Sequence, residues 1–496
     1  MDYLDPTKKK RKKNQLLIMY ILLGIAIGIA TLVVVYNVNG YSIDRETGEV
    51  VQNGLLYLDA KPGSAEVFLN GEKQRGKTDA RLVVAEGTYD VEMRRDGYLP
   101  WKRNLVLEGG SLRRLTYARL VPETIESEAV REVDVEPSFM TQSIDKRWLV
   151  ALNSTNPTLF YVYDLERTQD APANIQMPTD TLASSTGGTW KVIDWADDNK
   201  TMLASYTVSG SKPEFLLINR EDGAKVVNIT KTFPTLSISD VVLRARKNNT
   251  VYVFDQKLQI VYQADINAKT SQAILTDVID YVSYGTDTFT YVTTKDAKDG
   301  MVRAVLQHEG KEYPLRDLTV SDKYLLDTSR LGNALIVAIG SKGEDRVIVY
   351  NDPINALEQN ESSNLPVPTT VLRVVAPEEL RISADSSALF VRSGSQIATH
   401  EFEADRSYSF ETTSKLKLGS ELQWVDGQHL LGVNEANKLL MLDFDGSNQF
   451  ELVDASNTTR DYFSRTMNEL YTLKAGEDGK PSMLTRYFMR TKADRQ

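Results

Sequence analysis

The strongest constraint on this chain is an uncharged apolar run close to its N-terminus. Residues 16–36 read LLIMYILLGIAIGIATLVVVY and contain no charged side chain. A bilayer leaves only helices and closed barrels as spanning structures, because every backbone N–H and C=O group must be bonded internally. As a helix, the run covers roughly 30 Å, the thickness of the hydrocarbon core. It exceeds the apolar core of a cleavable signal peptide, which is about 7–15 residues long. We therefore predict a transmembrane signal anchor at residues 15–38 that stays attached.

The residues before this run indicate on which side of the membrane the body lies. Positions 8–13 are all lysine or arginine, and basic residues that flank a span stay on the cytoplasmic side. Such a run is also typical of a nuclear address or a nucleic-acid patch, but its position directly before the span favours the membrane. We predict a cytoplasmic tail at residues 1–14. The protein is then a single-pass plasma-membrane protein with an extracytoplasmic body, at the cell surface or in the periplasm.

Charge and cysteine content exclude several classes of partner and chemistry. The formal net charge is −10, and the first 13 residues contribute +4, so the rest of the chain carries −14. An acidic body repels nucleic acid and anionic lipid, so no nucleic-acid partner is expected. With no cysteine, the chain has no disulfide, thiol nucleophile or thiolate metal site, which favours a bacterial envelope protein.

The first part of the body has the pattern of a small β domain. Residues 39–53 are polar and predict a linker, whereas residues 54–121 alternate short apolar stretches with glycine turns. No stretch there keeps a helical period for more than two turns, so a small β-sandwich or half-barrel is predicted.

Five short motifs in this domain carry a family resemblance. They are PGSA (62–65), VFLNG (67–71), GKT (76–78), AEGTYDV (85–91) and DGY (96–98). Their succession resembles a PEGA domain, a small β module of surface and envelope proteins. The sequence departs from the family where Asp79 stands in place of a frequent proline. Glycines permit the positive φ of tight turns, and we expect Tyr89 and Tyr98 to cover a small core. The resemblance implies a location rather than a reaction.

One motif in the same domain imitates a nucleotide site. Residues 71–78, GEKQRGKT, fit the phosphate-binding pattern G-x-x-x-x-G-K-T. That site requires the loop to open a helix, whose N-terminal N–H groups hold the phosphates. Residues 79–86 read DARLVVAE and include two consecutive valines before Gly87. The sequence therefore predicts a turn and strands here, and no cofactor.

A repeat of about 44 residues organises the rest of the chain. Residues 122–138 are acidic and carry two prolines, which predicts a linker or a single closing strand. Two related units follow, one from Trp195 and one from Trp424. Each has an aromatic residue, an acidic turn and three apolar stretches. Weaker copies start near Ile144, Val242, Tyr281, Tyr324, Ile382 and Tyr462.

Eight units of this length between residues 139 and 490 are typical of four-stranded propeller blades. Consecutive β-sandwiches, the alternative, need about 100 residues apiece. The fold class is thus an all-β ectodomain, a PEGA-like sandwich plus a seven- or eight-bladed β-propeller with a tail at 491–496, behind one transmembrane helix. The wording WVDGQHLL (424–431) and LLMLDFDG (439–446) resembles TolB-like propellers. Propellers of this type also accompany serine peptidases. The hydrolase domain of such an enzyme would need some 200 further residues, so none is expected here.

No catalytic, cofactor or metal residue is predicted, and the ligand-binding residues stay unknown. His308, His400 and His429 fall in different units, and surface or packed roles are expected for them. One Asp-Asp pair, at 197–198, and three Asp-Gly pairs, at 222–223, 426–427 and 445–446, stand where hairpins need turn residues. A further stretch, DFDGSN at 443–448, resembles a shortened calcium loop but lacks the closing glutamate.

Two functions from different classes remain at this point. The first is a non-enzymatic, membrane-anchored envelope protein whose propeller binds a protein or a cell-wall polymer. The second is an exported hydrolase of glycan or peptide that uses two carboxylates at the propeller mouth. Two carboxylates converging without a basic partner would favour the second. A signalling receptor is a third hypothesis. The predicted cytoplasmic tail is too short for a folded output domain, so signalling would have to pass through a membrane partner. Such a helix could pack on Gly24 and Gly28, a G-x-x-x-G pair in the span.

Overall fold

The computed structural model describes residues 6–38, 40–43, 48, 50–133, 137–153, 156–184, 186–359, 365–456, 459–474 and 481–495. The chain divides into two compact units, with residues 1–124 in the first and 125–495 in the second.

The first unit opens with helix α1 (Pro6–Val38). Within it, Lys10–Tyr36 is long and apolar enough to cross a membrane. The apolar side chains of this run are exposed, from Leu16 onward. The helix begins within the basic tail predicted at residues 1–14, because lysine and arginine are good helix formers.

The predicted linker at residues 39–53 needs a correction. Strand β1 (Tyr41–Ile43) pairs antiparallel with the first residues of β2 (Val50–Lys61). Both stretches contain β-branched or aromatic residues, which favour strands, and Gly48 between them has a φ of 73°. Among the described residues of this segment, 41–43 and 50–52 are therefore paired strands of the small domain.

Two four-stranded sheets form that small domain. One contains β1, β2 and β5, with β8 parallel to β2, and the other has the order β4-β3-β6-β7. The remaining strands are β3 (Glu66–Leu69), β4 (Glu72–Lys77), β5 (Ala80–Ala85), β6 (Gly87–Arg94), β7 (Trp101–Leu107) and β8 (Leu112–Arg119). Leu56, Leu58 and Trp101 are fully buried in one core cluster, which also contains Tyr98 and packs against Tyr89. The predicted sandwich and the covering role of both tyrosines are confirmed.

The second unit is a β-propeller of eight four-stranded sheets. We number the blades 1–8 in chain order. Blade 1 contains β10 (Pro137–Gln142), β11 (Trp148–Asn153), β12 (Leu159–Asp164) and β13 (Ala173–Gln176). Blade 2 contains β14 (Gly188–Trp195), β15 (Thr201–Val208), β16 (Glu214–Asn219) and β17 (Val227–Asn228). Blade 3 contains β18 (Asp240–Leu243), β19 (Thr250–Asp255), β20 (Ile260–Asp265) and β21 (Thr270–Leu275). Blade 4 contains β22 (Val278–Tyr284), β23 (Thr288–Thr293), β24 (Met301–His308) and β25 (Lys311–Thr319).

The other four blades repeat the same order. Blade 5 contains β26 (Tyr324–Leu331), β27 (Ala334–Ser341), β28 (Arg346–Asn351) and β29 (Thr370–Arg373). Blade 6 contains β30 (Glu379–Ile382), β31 (Ala388–Ser393), β32 (Gln396–Glu401) and β33 (Arg406–Glu411). Blade 7 contains β34 (Gln423–Trp424), β35 (His429–Val433), β36 (Lys438–Asp443) and β37 (Phe450–Asp454). Blade 8 contains β38 (Tyr462–Phe463), β39 (Glu469–Lys474) and β40 (Ser482–Phe488), and its fourth strand is β9 (Ser127–Val133). In the described part of this unit, two short helices, α2 (Ile229–Thr232) and α3 (Pro353–Gln359), and three 3₁₀ turns (Gly223–Lys225, Arg244–Arg246 and Lys492–Asp494) lie between or after strands.

The ring closes between the last blade and the first. The Gln142 side chain donates to the backbone carbonyl of Phe463 at 2.8 Å, and the Tyr462 hydroxyl donates to the carbonyl of Met140 at 2.6 Å. Strand β9 pairs antiparallel with β40. The propeller therefore has eight blades. Of the two alternatives for residues 122–138, the structure has the closing strand, because β9 from Ser127 supplies the outermost strand of blade 8.

Neighbouring blades share their cores, and their first strands lie innermost. The first strands of blades 4, 5 and 6 contact one another in succession. One apolar cluster joins blades 1 and 2 through Phe160, Trp190 and Met202. We call the first strand of each blade its inner strand. Because each blade is an antiparallel meander, the turns after the inner strands lie at one end of the ring. The connections between blades lie at the other end.

Candidate functional site

A polar cavity of about 630 Å³ opens where five inner strands end. Blades 2 to 6 contribute its lining, which includes Asp194, Arg246, Tyr284, Asp327 and Asp385. The lining comes from residues far apart in the sequence because each inner strand delivers its last residues to the same end of the ring. We call this space the central cavity.

In the central cavity, Asp194 forms an ion pair with Arg246. The Nε of Arg246 lies 3.4 Å from an Asp194 carboxylate oxygen. Burial raises the pKa of Asp194, and the Arg246 charge partly offsets that rise. Ala245 and Arg246 both have left-handed backbones, with φ values of 50° and 53°. Such values are uncommon for residues other than glycine, and the Arg246 carbonyl is held by the backbone N–H of Asp197 at 2.9 Å.

Asp327, in blade 5, also lines the central cavity and is bonded to backbone groups. Its carboxylate accepts from the N–H of Thr328 at 2.8 Å and from the N–H of Ile382, in blade 6, at 2.7 Å. Protein surrounds the carboxylate, and burial raises its pKa to about 6 against the opposing effect of these two donors. The group therefore joins two inner strands.

Asp385 serves the turn that follows the inner strand of blade 6. Its Oδ1 accepts from the hydroxyls of Ser383 and Ser387 at 2.7 and 2.8 Å. Blade 1 has the same arrangement, in which the Ser143 hydroxyl contacts Asp145 and accepts from the N–H of Trp148 at 3.0 Å. The acidic turns predicted for the repeat thus bond their own backbone, as side chains of this type do in turns.

A second pair of carboxylates lies on adjacent inner strands. Asp240 is the first residue of β18, and Asp280 is near the start of β22. Burial raises the pKa of Asp280 to about 6, with a further contribution from the Asp240 charge. Burial also raises the pKa of Asp240, with Lys191 opposing it. Among the described residues, no basic nitrogen lies within ion-pair distance of either carboxylate. The condition set above for the hydrolase alternative is therefore met only in part, since neither carboxylate forms an ion pair, whereas Lys191 acts on Asp240 and neither acid lines the central cavity.

Sequence reasoning missed these four inner-strand aspartates. Asp194, Asp240, Asp280 and Asp327 recur with about the spacing of the repeat. An acid within the first apolar stretch of four consecutive units was the signal that could have found them. Only the ring shows that two of them, Asp194 and Asp327, reach one cavity.

The three histidines lie apart, in blades 4, 6 and 7. The Nδ1 of His308 is 2.8 Å from the hydroxyl of Thr288. His400 is buried beside Ser407, and burial lowers its pKa. His429 is also buried, with Nδ1 2.8 Å from Asp426 and Nε2 3.4 Å from Asp443.

The loop that resembles a calcium site is a hydrogen-bonded turn. The Asp443 carboxylate is buried and accepts from the amide of Asn448 at 2.8 Å. Asp445 accepts from the hydroxyl of Ser447 at 2.7 Å. The remaining acidic turns also bond the backbone, and both Asp198 and Asp426 cap their turns at 2.8 Å. In the part of the chain that the structure describes, no three histidine or acidic side chains are placed to share a metal ion.

The segment resembling a phosphate loop forms a hairpin and a strand. Gly71 has a φ of 82°, β4 follows at once, and β5 begins two residues after Thr78. The Thr78 side chain is buried and accepts from the N–H of Ala65 at 2.9 Å. It therefore connects strands, and a strand stands where a nucleotide site needs a helix.

Gly24 and Gly28 both lie in α1. An added Cβ at either would meet no atom within 4 Å. A membrane helix that packs on them stays a prediction, tested by whether replacement of both with leucine abolishes co-purification of membrane proteins.

Comparison with known families finds one match. A model described as "PEGA domain" matches residues 53–118. The resemblance predicted for residues 54–121 is confirmed for this segment. No curated protein sequence matches the chain.

Solved structures similar to this chain are β-propellers of low sequence identity. Hsv2 of Kluyveromyces lactis is 12% identical over 71% of this chain and 99% of its own, with a TM-score of 0.39. The C-terminal WD40 domain of Sif2 is 10% identical over 72% and 97%, with a TM-score of 0.46. BamB from Moraxella catarrhalis is 12% identical over 73% and 98%, with a TM-score of 0.41. The eight sheets themselves establish the fold, and the TolB-like likeness stays a prediction.

Proposed function

We propose that this protein is a non-enzymatic, membrane-anchored protein of the cell envelope. Its helix α1 crosses the plasma membrane, the body lies outside the cytoplasm, and the propeller binds a protein or a cell-wall polymer. The eight-bladed ring is the observation that carries this proposal. Its rigid blades present two sets of loops, and such a platform favours recognition.

The acids of the central cavity support binding over catalysis. Asp194 faces Arg246, Asp327 accepts two backbone N–H groups, and Asp385 accepts hydroxyls of its own turn. Groups that are bonded in this way fix the ends of the inner strands. The central cavity between them is polar and open to a ligand.

The test is a cross-linking pull-down from intact cells. The full chain is compared with a chain that ends at Pro122 and so lacks the propeller. We expect defined partners that the shorter chain loses. If both chains retain the same partners, the propeller is not the binding platform.

Asp240 and Asp280 favour a second candidate, an exported hydrolase of glycan or peptide. A carboxylic acid that is protonated near pH 6 beside a second carboxylate is the arrangement of a general acid and its partner. The full chain would be tested on fluorogenic glycosides and internally quenched peptides. Hydrolysis that Asp280→Asn abolishes, and that Asp299→Asn at an exposed loop leaves intact, would establish this candidate. Absence of hydrolysis across both panels would remove it.

A further inference from the structure

A loop at the end of the ring opposite the central cavity holds the most exposed large apolar side chain of the described propeller. Leu418 lies between blades 6 and 7 and is 92% exposed. Isolated exposed leucines are common, so exposure alone has no meaning here. What distinguishes Leu418 is that its loop is held in place by hydrogen bonds and lies between two cavities.

The loop is a hydrogen-bonded turn that holds Leu418 outward. The backbone N–H of Ser420 donates to the carbonyl of Lys417 at 3.1 Å, and the Ser420 hydroxyl donates to the same carbonyl at 2.7 Å. Gly419 has a φ of 77°, as the third position of a type II turn requires. Leu418 therefore occupies the corner of the turn and does not fold back onto the blades.

Arg392 fixes the base of this turn from blade 6. Its guanidinium donates to the Ser420 carbonyl at 2.6 Å and to the Glu379 carboxylate at 3.0 Å. Glu379 in turn accepts from the N–H of Leu422 at 3.2 Å. Arg392 is 8% exposed, so the support of the loop is internal to the fold.

Two cavities flank the turn and share it as a common wall. One, of about 370 Å³, lies toward blade 8 and includes Leu431, Leu439 and Asp461. The other, of about 470 Å³, lies toward blade 5 and includes Lys323 and Lys342. A partner that contacts Leu418 would have a recess on each side of it. We call the turn and both recesses the Leu418 surface.

The Leu418 surface is basic on an otherwise acidic body. Its lining contains six basic and four acidic side chains, whereas the chain beyond residue 13 carries −14. Lys323 donates to the Glu378 carbonyl at 2.6 Å, and Lys417 donates to the Asn437 amide oxygen at 3.0 Å. Both ammonium groups thus have neutral hydrogen-bond partners, and neither forms an ion pair among the described residues.

We propose that the Leu418 surface docks a protein segment that carries an apolar side chain flanked by carboxylates. This inference rests on the proposed binding function and names the partner chemistry for it. The apolar side chain would cover Leu418, and the carboxylates would reach Lys417 and Lys323. Interface cores are apolar and their rims are polar. On this surface, Leu418 would form the core, and Lys417 and Lys323 would form the rim.

The chain offers a matched control for the test. Lys257 and Leu258 form a second Lys-Leu pair in a loop at the same end of the ring, in blade 3, and Leu258 is 57% exposed. This pair lines neither of the two recesses. The double variant K417E/L418A is therefore compared with K257E/L258A.

The probe is a phage-displayed library of random dodecapeptides, selected on the full chain in lipid nanodiscs. We expect selected peptides with leucine, isoleucine or phenylalanine between acidic residues. Their affinity, measured by fluorescence polarisation, should fall at least about tenfold in K417E/L418A and change less than about twofold in the control. If the double variant does not fold, the single variant L418A is measured instead. Its substitution should leave the fold intact, because the Leu418 side chain is exposed.

Three outcomes would overturn the inference. The first is that the selected peptides are not enriched in acidic and apolar residues. The second is that peptide affinity falls equally in K417E/L418A and K257E/L258A. The third is that the chain binds phosphatidylglycerol vesicles in a Lys417-dependent way. The proposed function is judged separately. If truncation at Pro122 removes cellular partners that K417E/L418A retains, the binding function stands and this surface is not its site.

Discussion

Asp461, immediately before the first strand of blade 8, has a pH-dependent effect on stability that the structure allows to be worked out. Its side chain is 4% exposed, and its two oxygens accept from the N–H of Ser456 at 3.3 and 3.2 Å. Among the described residues, it has no ion pair, since its neighbour Arg460 is paired with Glu421. Burial raises the pKa of Asp461 from 3.8 to about 7.

The sign of the effect follows from proton binding. Between about pH 4 and pH 7 the folded chain holds a proton on Asp461 that the unfolded chain has released, so the free energy of unfolding falls as the pH rises. The loss is complete above the folded-state pKa. A difference of about three pKa units corresponds to about 4 kcal/mol.

Replacement of Asp461 by asparagine removes this titration and keeps an oxygen acceptor for Ser456. We expect Asp461→Asn to change the free energy of unfolding little near pH 4 and to raise it by up to about 4 kcal/mol near pH 8. Urea unfolding followed by tryptophan fluorescence measures this, because four of the five tryptophans lie in the propeller. Asp299→Asn, at an exposed position, serves as the control. A difference between Asp461→Asn and the parent that stays constant with pH would refute the reasoning.

Three further predictions concern stability and use the same urea assay. A Cβ at Gly223 would lie 2.1 Å from the Gln176 carbonyl oxygen, so Gly223→Ala should destabilise the propeller by more than about 2 kcal/mol. Trp195 donates from its indole to the buried Thr141 hydroxyl at 2.9 Å, and Trp195→Phe should cost about 1 kcal/mol. Val133 is 5% exposed in the closing strand β9, and Val133→Asp should cost at least about 3 kcal/mol through an unpaired buried charge.

Each of these has an outcome that contradicts it. Gly343→Ala is the control for the first, because its added Cβ would meet atoms only at 3.6 Å or beyond, and equal effects at both glycines would refute the steric reason. Unchanged stability of Trp195→Phe would show that the link between blades 1 and 2 contributes nothing. Tolerance of Val133→Asp would mean that β9 does not hold blade 8 closed.

Local patterns explain why much of the fold could be predicted. The apolar run of α1, the strand alternation of the small domain and the repeated aromatic-acid-apolar units each lie within a few dozen residues. The acidic turns were also predictable, because a side chain such as Asp198 bonds backbone groups two and three residues away. The strand Tyr41–Ile43 was missed since three residues are too few to show alternation.

The sequence by itself determined an apolar helix long enough to cross a membrane, a PEGA-like domain and a propeller-sized repeat, because backbone hydrogen bonding and side-chain periodicity act locally. Only the tertiary structure decided the number of blades, the closing role of β9 and the neighbourhood of Asp240 and Asp280. It also decided that Asp461 is buried while Leu418 is exposed. These properties depend on contacts such as that of Gln142 with Phe463, 321 residues apart. Closure of the ring brings such residues together, and no local pattern records it.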